Sequence, residues 1–150
     1  MRNLFLLLFI NFSAILFLQA QGTKPNYKQR KEIYSLIDNY SKARKNRDTV
    51  LLKRILTTDV DQLASTGEWR KGIDAAVTGM LRSSDNSPGT RTLHIETIRM
   101  LNSNCALVDC RYELQNSDGT IRKMWSTFII VADKSTWKIA AIRNMLPAKQ

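Results

Sequence analysis

Histidine is nearly missing from this chain, where His94 stands alone, and Cys105 and Cys110 are the only cysteines. One histidine and two cysteines in no recognisable ligand spacing do not make a zinc site, so no metal is expected. No cofactor motif is present either, and none is expected. The two cysteines are poor disulfide partners. Five positions apart on an extended strand they face opposite ways and lie about 16 Å apart, against the roughly 6 Å between Cα atoms that a disulfide requires. Acidic residues are also scarce, 13 against 23 basic ones, for a net charge of +10. Internal repeats and low-complexity segments are absent.

A spanning apolar run is lacking too. Leu4 to Leu18 is apolar apart from Asn11 and Ser13, which falls short of the roughly 20 residues a membrane helix needs. Arg2 precedes this run and Gln19-Ala20-Gln21-Gly22 follows it, the pattern of a secretory signal peptide cut after Ala20. The expected organisation is a signal peptide over 1–20 and one domain over 21–150, exported to the periplasm or secreted, with no membrane span once the leader is removed. The alternative is a retained leader that acts as an anchor. Residues 21–150 suit one domain with one core and are too few for two ordinary ones.

The basic surface favours anionic partners. Lysines and arginines are spread from Lys24 to Lys149 with acids between them, so a nucleic-acid site, which would gather them into a stripe, is not expected. The densest cluster is Lys42, Arg44, Lys45 and Arg47, at the end of a predicted helix. There the charges complement the helix dipole, and the expectation is that they form a solvated surface.

Ile33, Leu36, Ile37 and Tyr40 recur at helical spacing and predict a first helix from about Tyr27 to Arg44. Asp48 is placed to cap a second, short helix carrying Val50, Leu51, Ile55 and Leu56. Asp59–Thr66 reads as extended, and Gly67 starts a turn towards Gly72. A third helix carries Ile73, Ala76, Val77, Met80 and Leu81 and is expected to stop before the loop-like stretch Ser83–Gly89. After it come strands, Arg91–Leu101, Cys105–Leu114, Ile121–Ala132 and Trp137–Met145, joined by turns at Asn102–Asn104, Asn116–Gly119 and Asp133–Thr136. Ala106, Val108, Cys110, Tyr112 and Leu114 share one face of the second of these strands. Helices followed by an antiparallel meander predict an α+β fold, with the helices packed on the apolar face of a curved antiparallel sheet.

Four stretches carry a resemblance across nearly the whole of 21–150. They are Ala43-Arg44-Lys45-Asn46-Arg47-Asp48, the segment from Asp59 through Gly67 to Gly72-Ile73, Asn104-Cys105-Ala106-Leu107-Val108, and Trp137-Lys138-Ile139-Ala140-Ala141-Ile142-Arg143-Asn144-Met145. In these the chain resembles the SnoaL-like part of the nuclear-transport-factor-2-like superfamily, whose fold is cystatin-like. The resemblance implies a cone: a bent sheet wrapped over the first helix, with a pocket open at one end. It implies no single function, because this fold serves isomerases, dehydratases, transport adaptors and binding proteins alike.

Proton-transfer members of such a superfamily need a base near the substrate carbon and a donor near its oxygen. The candidates here are His94 or Asp61 as base and Tyr40 as donor; the competing readings are a packed or surface histidine and a core tyrosine. Tyr40, Trp69, His94, Trp125 and Arg143 are the expected pocket residues. Asp109, Arg111 and Glu113 alternate on one strand face, either as a polar pocket wall or as a solvated exterior. The leading expectation is a small-ligand-binding protein whose pocket has few ionisable groups and holds a small apolar or anionic organic molecule. An isomerase or dehydratase, and an interaction module forming homodimers through the sheet, are the alternatives.

Overall fold

The apolar stripe of the first helix folds as read. In the computed structural model, which describes residues 24–147, helix α1 spans Tyr27–Asn46 and buries Ile33, Leu36, Ile37 and Tyr40. The expected leader and its cleavage point lie outside the described residues. Asn26 and Gln29 form a reciprocal capping box at the start of α1, the Asn26 side chain accepting from the Gln29 N–H at 2.9 Å. Asp48 caps α2 (Thr49–Ile55) by accepting from the Leu51 N–H at 2.8 Å.

Strand β1 begins earlier than expected, at Leu56, and ends at Leu63. Leu56 leaves the second helix because its backbone pairs with Ile139 and its side chain is buried. The expected turn from Gly67 to Gly72 holds a short strand, β2 (Trp69–Lys71), which pairs antiparallel with β1. Helix α3 runs over Ile73–Asn86, three residues past Ser83. Its last turn is held from outside: Arg91 donates to the Ser83 carbonyl at 3.2 Å and the Ser87 carbonyl at 2.6 Å, and Arg47 pairs with Asp85. The meander follows as β3 (Gly89–Asn102), β4 (Cys105–Asn116), β5 (Ile121–Asp133) and β6 (Thr136–Met145).

The six strands form one sheet in the order β2-β1-β6-β5-β4-β3. One pairing departs from the expected antiparallel pattern: β1 runs parallel to β6, with Gln62 opposite Ile142. Register shifts between Ile95 and Thr97, between Met100 and Asn102, and between Ile129 and Ile130 leave extra residues that bend the strands and curl the sheet. Helix α1 lies against β3 and β6, and α3 against β1 and β2. The core between the layers contains Phe128, Ile130, Ile139, Ile142 and Val108 from the sheet, packed on Leu52, Met80 and the α1 stripe. Tyr40 meets Phe128 edge-on, with ring centroids 5.3 Å apart. Cys105 and Cys110 are free and on opposite faces, with Cys110 buried in this core. Among the described residues no helix is long and apolar enough to cross a membrane. The architecture is thus an α+β cone, three helices on a curved sheet.

Candidate functional site

Strand alternation sorts the expected pocket residues onto two faces. Gln62, Arg70, Phe128 and Ile142 are buried on the helix side of the sheet, so their neighbours in sequence face away from it. Trp69 pairs with Leu63, Leu63 with Arg143, and Arg143 with Thr127, a row across that outer face. Arg143 stacks over Trp69, 4.7 Å from the ring centroid, and grips Asp61 with bonds of 2.9 and 3.1 Å. Trp125 lies beside Met145 on the same face, and His94 is exposed opposite Arg111. Trp69, His94, Trp125 and Arg143 therefore do not line the cone. Each sits one residue out of phase with the buried set, and a shift of one position on a strand exchanges faces.

Only Tyr40 of the expected set is inside the cone, buried against Phe128. His94 and Asp61 lie on the opposite side of the sheet from it, and both oxygens of Asp61 are committed to Arg143. The base and donor of the proton-transfer scheme do not converge on one substrate. Asp109 and Arg111 take up the exterior reading: Asp109 accepts from Thr97 and Thr127 across the outer face, and Arg111 pairs with Glu96.

The helix side of the sheet opens instead into a cavity of about 180 Å³, and its wall is the feature the sequence left unread. Among the described residues five arginines line it, Arg44, Arg70, Arg82, Arg91 and Arg122, with Glu68 as the single carboxylate. The expectation of few ionisable groups is corrected accordingly. Apolar wall comes from Ala64, Leu114 and Met124, and hydroxyls from Ser65, Ser83 and Tyr112.

Arg44, expected at the surface, is only 8 % exposed. It continues the α1 stripe one turn beyond Tyr40, and its guanidinium donates to the Tyr40 hydroxyl at 3.1 Å and to the Met80 carbonyl and Ser84 hydroxyl at 3.2 Å each. No carboxylate meets it among the described residues. Burial acts against its charge, but the hydroxyl oxygens of Tyr40 and Tyr112 more than offset that and raise its pKa above the ordinary arginine value. Burial likewise pushes the Tyr112 phenol up, so it remains a donor.

Arg70 is 5 % exposed and clamped by three partners: Gln62 at 3.1 Å, Glu68 at 2.9 Å and Ser83 at 2.8 Å. Its side chain passes directly over Gly79 of α3, where a Cβ would stand 2.3 Å from Nε. Arg82 closes on Glu68 from the rim, and Arg122 reaches the Ser65 hydroxyl at 2.9 Å. The two guanidinium bonds hold the Glu68 carboxyl down at about 2. Among the described residues, the buried Nε atoms of Arg44, Arg70 and Arg91 find no hydrogen-bond partner. Chemically this is a receptor for negative charge, since arginine forks match carboxylate and phosphate oxygens two at a time.

No family model and no curated protein sequence matches the chain. Solved structures do. A protein of unknown function from Shewanella oneidensis MR-1, described as NTF-2 like, superposes with a TM-score of 0.66 at 18 % identity, covering 77 % of this chain and 98 % of its own. A domain of unknown function with a cystatin-like fold from Nostoc punctiforme gives 0.73 at 14 % identity, over 83 % and 81 %. A putative calcium/calmodulin dependent protein kinase II association domain from Xanthomonas campestris gives 0.69 at 13 %, over 91 % and 100 %. At these identities the likeness is one of fold, and the fold of this chain is the NTF2-like, cystatin-like one.

Proposed function

We propose that this is a binding protein for a small organic anion, exported in the manner its leader suggests and of SnoaL-like type. The observation that carries the reading is the uncompensated charge inside the cone, five arginines against one carboxylate, with Arg44 and Arg70 almost wholly buried. Buried charge is costly unless it is paired, so a wall of this kind is stabilised by a negatively charged occupant. The apolar contribution of Ala64, Leu114 and Met124 suits the carbon body of such a molecule. The cavity is small beside the several hundred Å³ of typical cofactor sites, which favours a compact acid. Catalysis by a side-chain base receives no support here, because the single carboxylate in the cavity is tied to two arginines and the histidine is elsewhere.

The test is thermal unfolding of the full chain with succinate, benzoate or inorganic phosphate, against succinamide as an uncharged control. A saturable rise in Tm is expected with at least one anion and not with succinamide, because a ligand that binds only the native state stabilises it. Arg44→Gln should abolish the response. A Tm that follows ionic strength alone, equally in wild type and variant, would reject the reading.

A specific observation also favours association through the outer sheet face. Trp69, Trp125 and Met145 leave large apolar surface exposed there, with Trp125 and Met145 side by side. The reading is a homodimer across this face. Analytical ultracentrifugation should give a dimer that Trp125→Glu converts to monomer; a monomeric wild type at micromolar concentration would refute it.

A further inference from the structure

Glu68 is the odd member of the cavity wall: the one carboxylate, at the rim, holding two of the five arginines. We propose that Glu68 is an exchangeable counter-ion, and that the acid group of a ligand takes over Arg70 and Arg82 by displacing the Glu68 carboxylate. The inference rests on the anion-binding reading and names how that site selects.

The two sides of the contact differ in their freedom to move. Arg70 is fixed without Glu68, since Gln62 and Ser83 hold its guanidinium and α3 presses on its shaft at Gly79. Glu68 has no comparable anchor. Its side chain is 39 % exposed against 5 % for Arg70, so its carboxylate can turn out to water while the guanidinium stays. Backbone bonds keep the connection between β1 and β2 in place during such a turn: Ala64 N–H donates to the Glu68 carbonyl and Gly67 N–H to the Ala64 carbonyl, both at 2.9 Å. Gly67, at φ 87°, supplies the left-handed residue this tight connection needs. Only side-chain torsions have to change.

The exchange sets a charge requirement. Glu68 stays ionised throughout the working pH range, so it competes as a full negative charge. A monoanion that displaces it leaves the cavity no better neutralised than before. A compact dianion places one group on Arg70 and Arg82 and turns the other to the rest of the wall, where Arg44, Arg91 and Arg122 make no ion pair with Glu68. The site thereby takes dicarboxylates or phosphate esters in preference to simple monocarboxylates.

Calorimetric titration of the full chain with succinate distinguishes exchange from a plain field effect. Glu68→Gln removes the competitor, and the Kd for succinate is expected to fall at least tenfold while the Tm of the protein without ligand drops. Glu68→Asp decides the matter, because it keeps the charge on a side chain one methylene too short to span both arginines. Exchange predicts a Kd lowered threefold or more in Glu68→Asp; an affinity equal to or weaker than wild type there, even with tighter binding in Glu68→Gln, overturns it. If Glu68→Gln does not fold, the Asp variant carries the test alone. Wild-type binding with an unchanged Asp variant would leave the anion pocket standing and remove only the exchange. Failure of wild type and both variants to bind succinate and inorganic phosphate would remove both.

Discussion

Arg70 owes its place to an absence of carbon. Gly79 leaves the room on α3 over which the guanidinium shaft passes, so Gly79→Ala forces apart a packed contact. Relieving such an overlap costs about 1–3 kcal/mol, which at a clamped, buried side chain such as Arg70 outweighs the roughly 1 kcal/mol that alanine returns in helix propensity in all but the mildest case. The variant should unfold several degrees below wild type in calorimetry and lose the anion response, since Arg70 no longer meets Gln62, Glu68 and Ser83 together. Glu68 gives a pH signature. Its folded pKa near 2 lies below its unfolded value of 4.5, so the stabilisation it supplies is complete above pH 4.5 and is lost as pH falls from there towards 2. Wild-type Tm should fall more steeply over that window than the Tm of Glu68→Gln. Arg44 was legible in principle, because it continues the spacing of Ile33, Leu36, Ile37 and Tyr40, but its charge points to the surface. Arg70 was not, since one arginine between Trp69 and Lys71 carries no sign of which face it takes.

Elements with a strong period were readable, and those defined by partners were not. The stripes of α1 and α3 and the alternation of β4 follow from local sequence, as do the Asp48 cap and the Asn116–Gly119 hairpin turn. Strand β2 is three residues long and exists because β1 accepts it. The end of α3 lies in Ser83-Ser84-Asp85-Asn86, a stretch with loop composition that is made helical by Arg91 and Arg47 from elsewhere. Removing that support tests the account: Arg91→Met should speed amide exchange in the last turn of α3 by tenfold or more while leaving β5 and β6 protected. At the other end of the helical layer, Asn26→Ala should cost about 1 kcal/mol by leaving the first turn of α1 uncapped, measurable by denaturant unfolding.

For the whole molecule, an excess of positive charge faces both solvent and cavity. Self-repulsion of this kind lowers the stability of the compact state, and salt screens it. Raising sodium chloride from 10 mM to 150 mM should therefore raise Tm, and the gain should shrink once a saturating dianion fills the cone. The cavity wall is gathered from every helix and strand but the short α2, which is why no single motif announced it. The pairing of β1 with β6 has a consequence in time. Gln62 and Ile142 are 80 positions apart in sequence, and β1 has no neighbour on that side until β6 arrives. During synthesis the sheet can grow from β3 through β5 yet cannot join its two parts, so protease resistance is gained late and all at once. A chain that delays closure in this way stays open until β6 has been made.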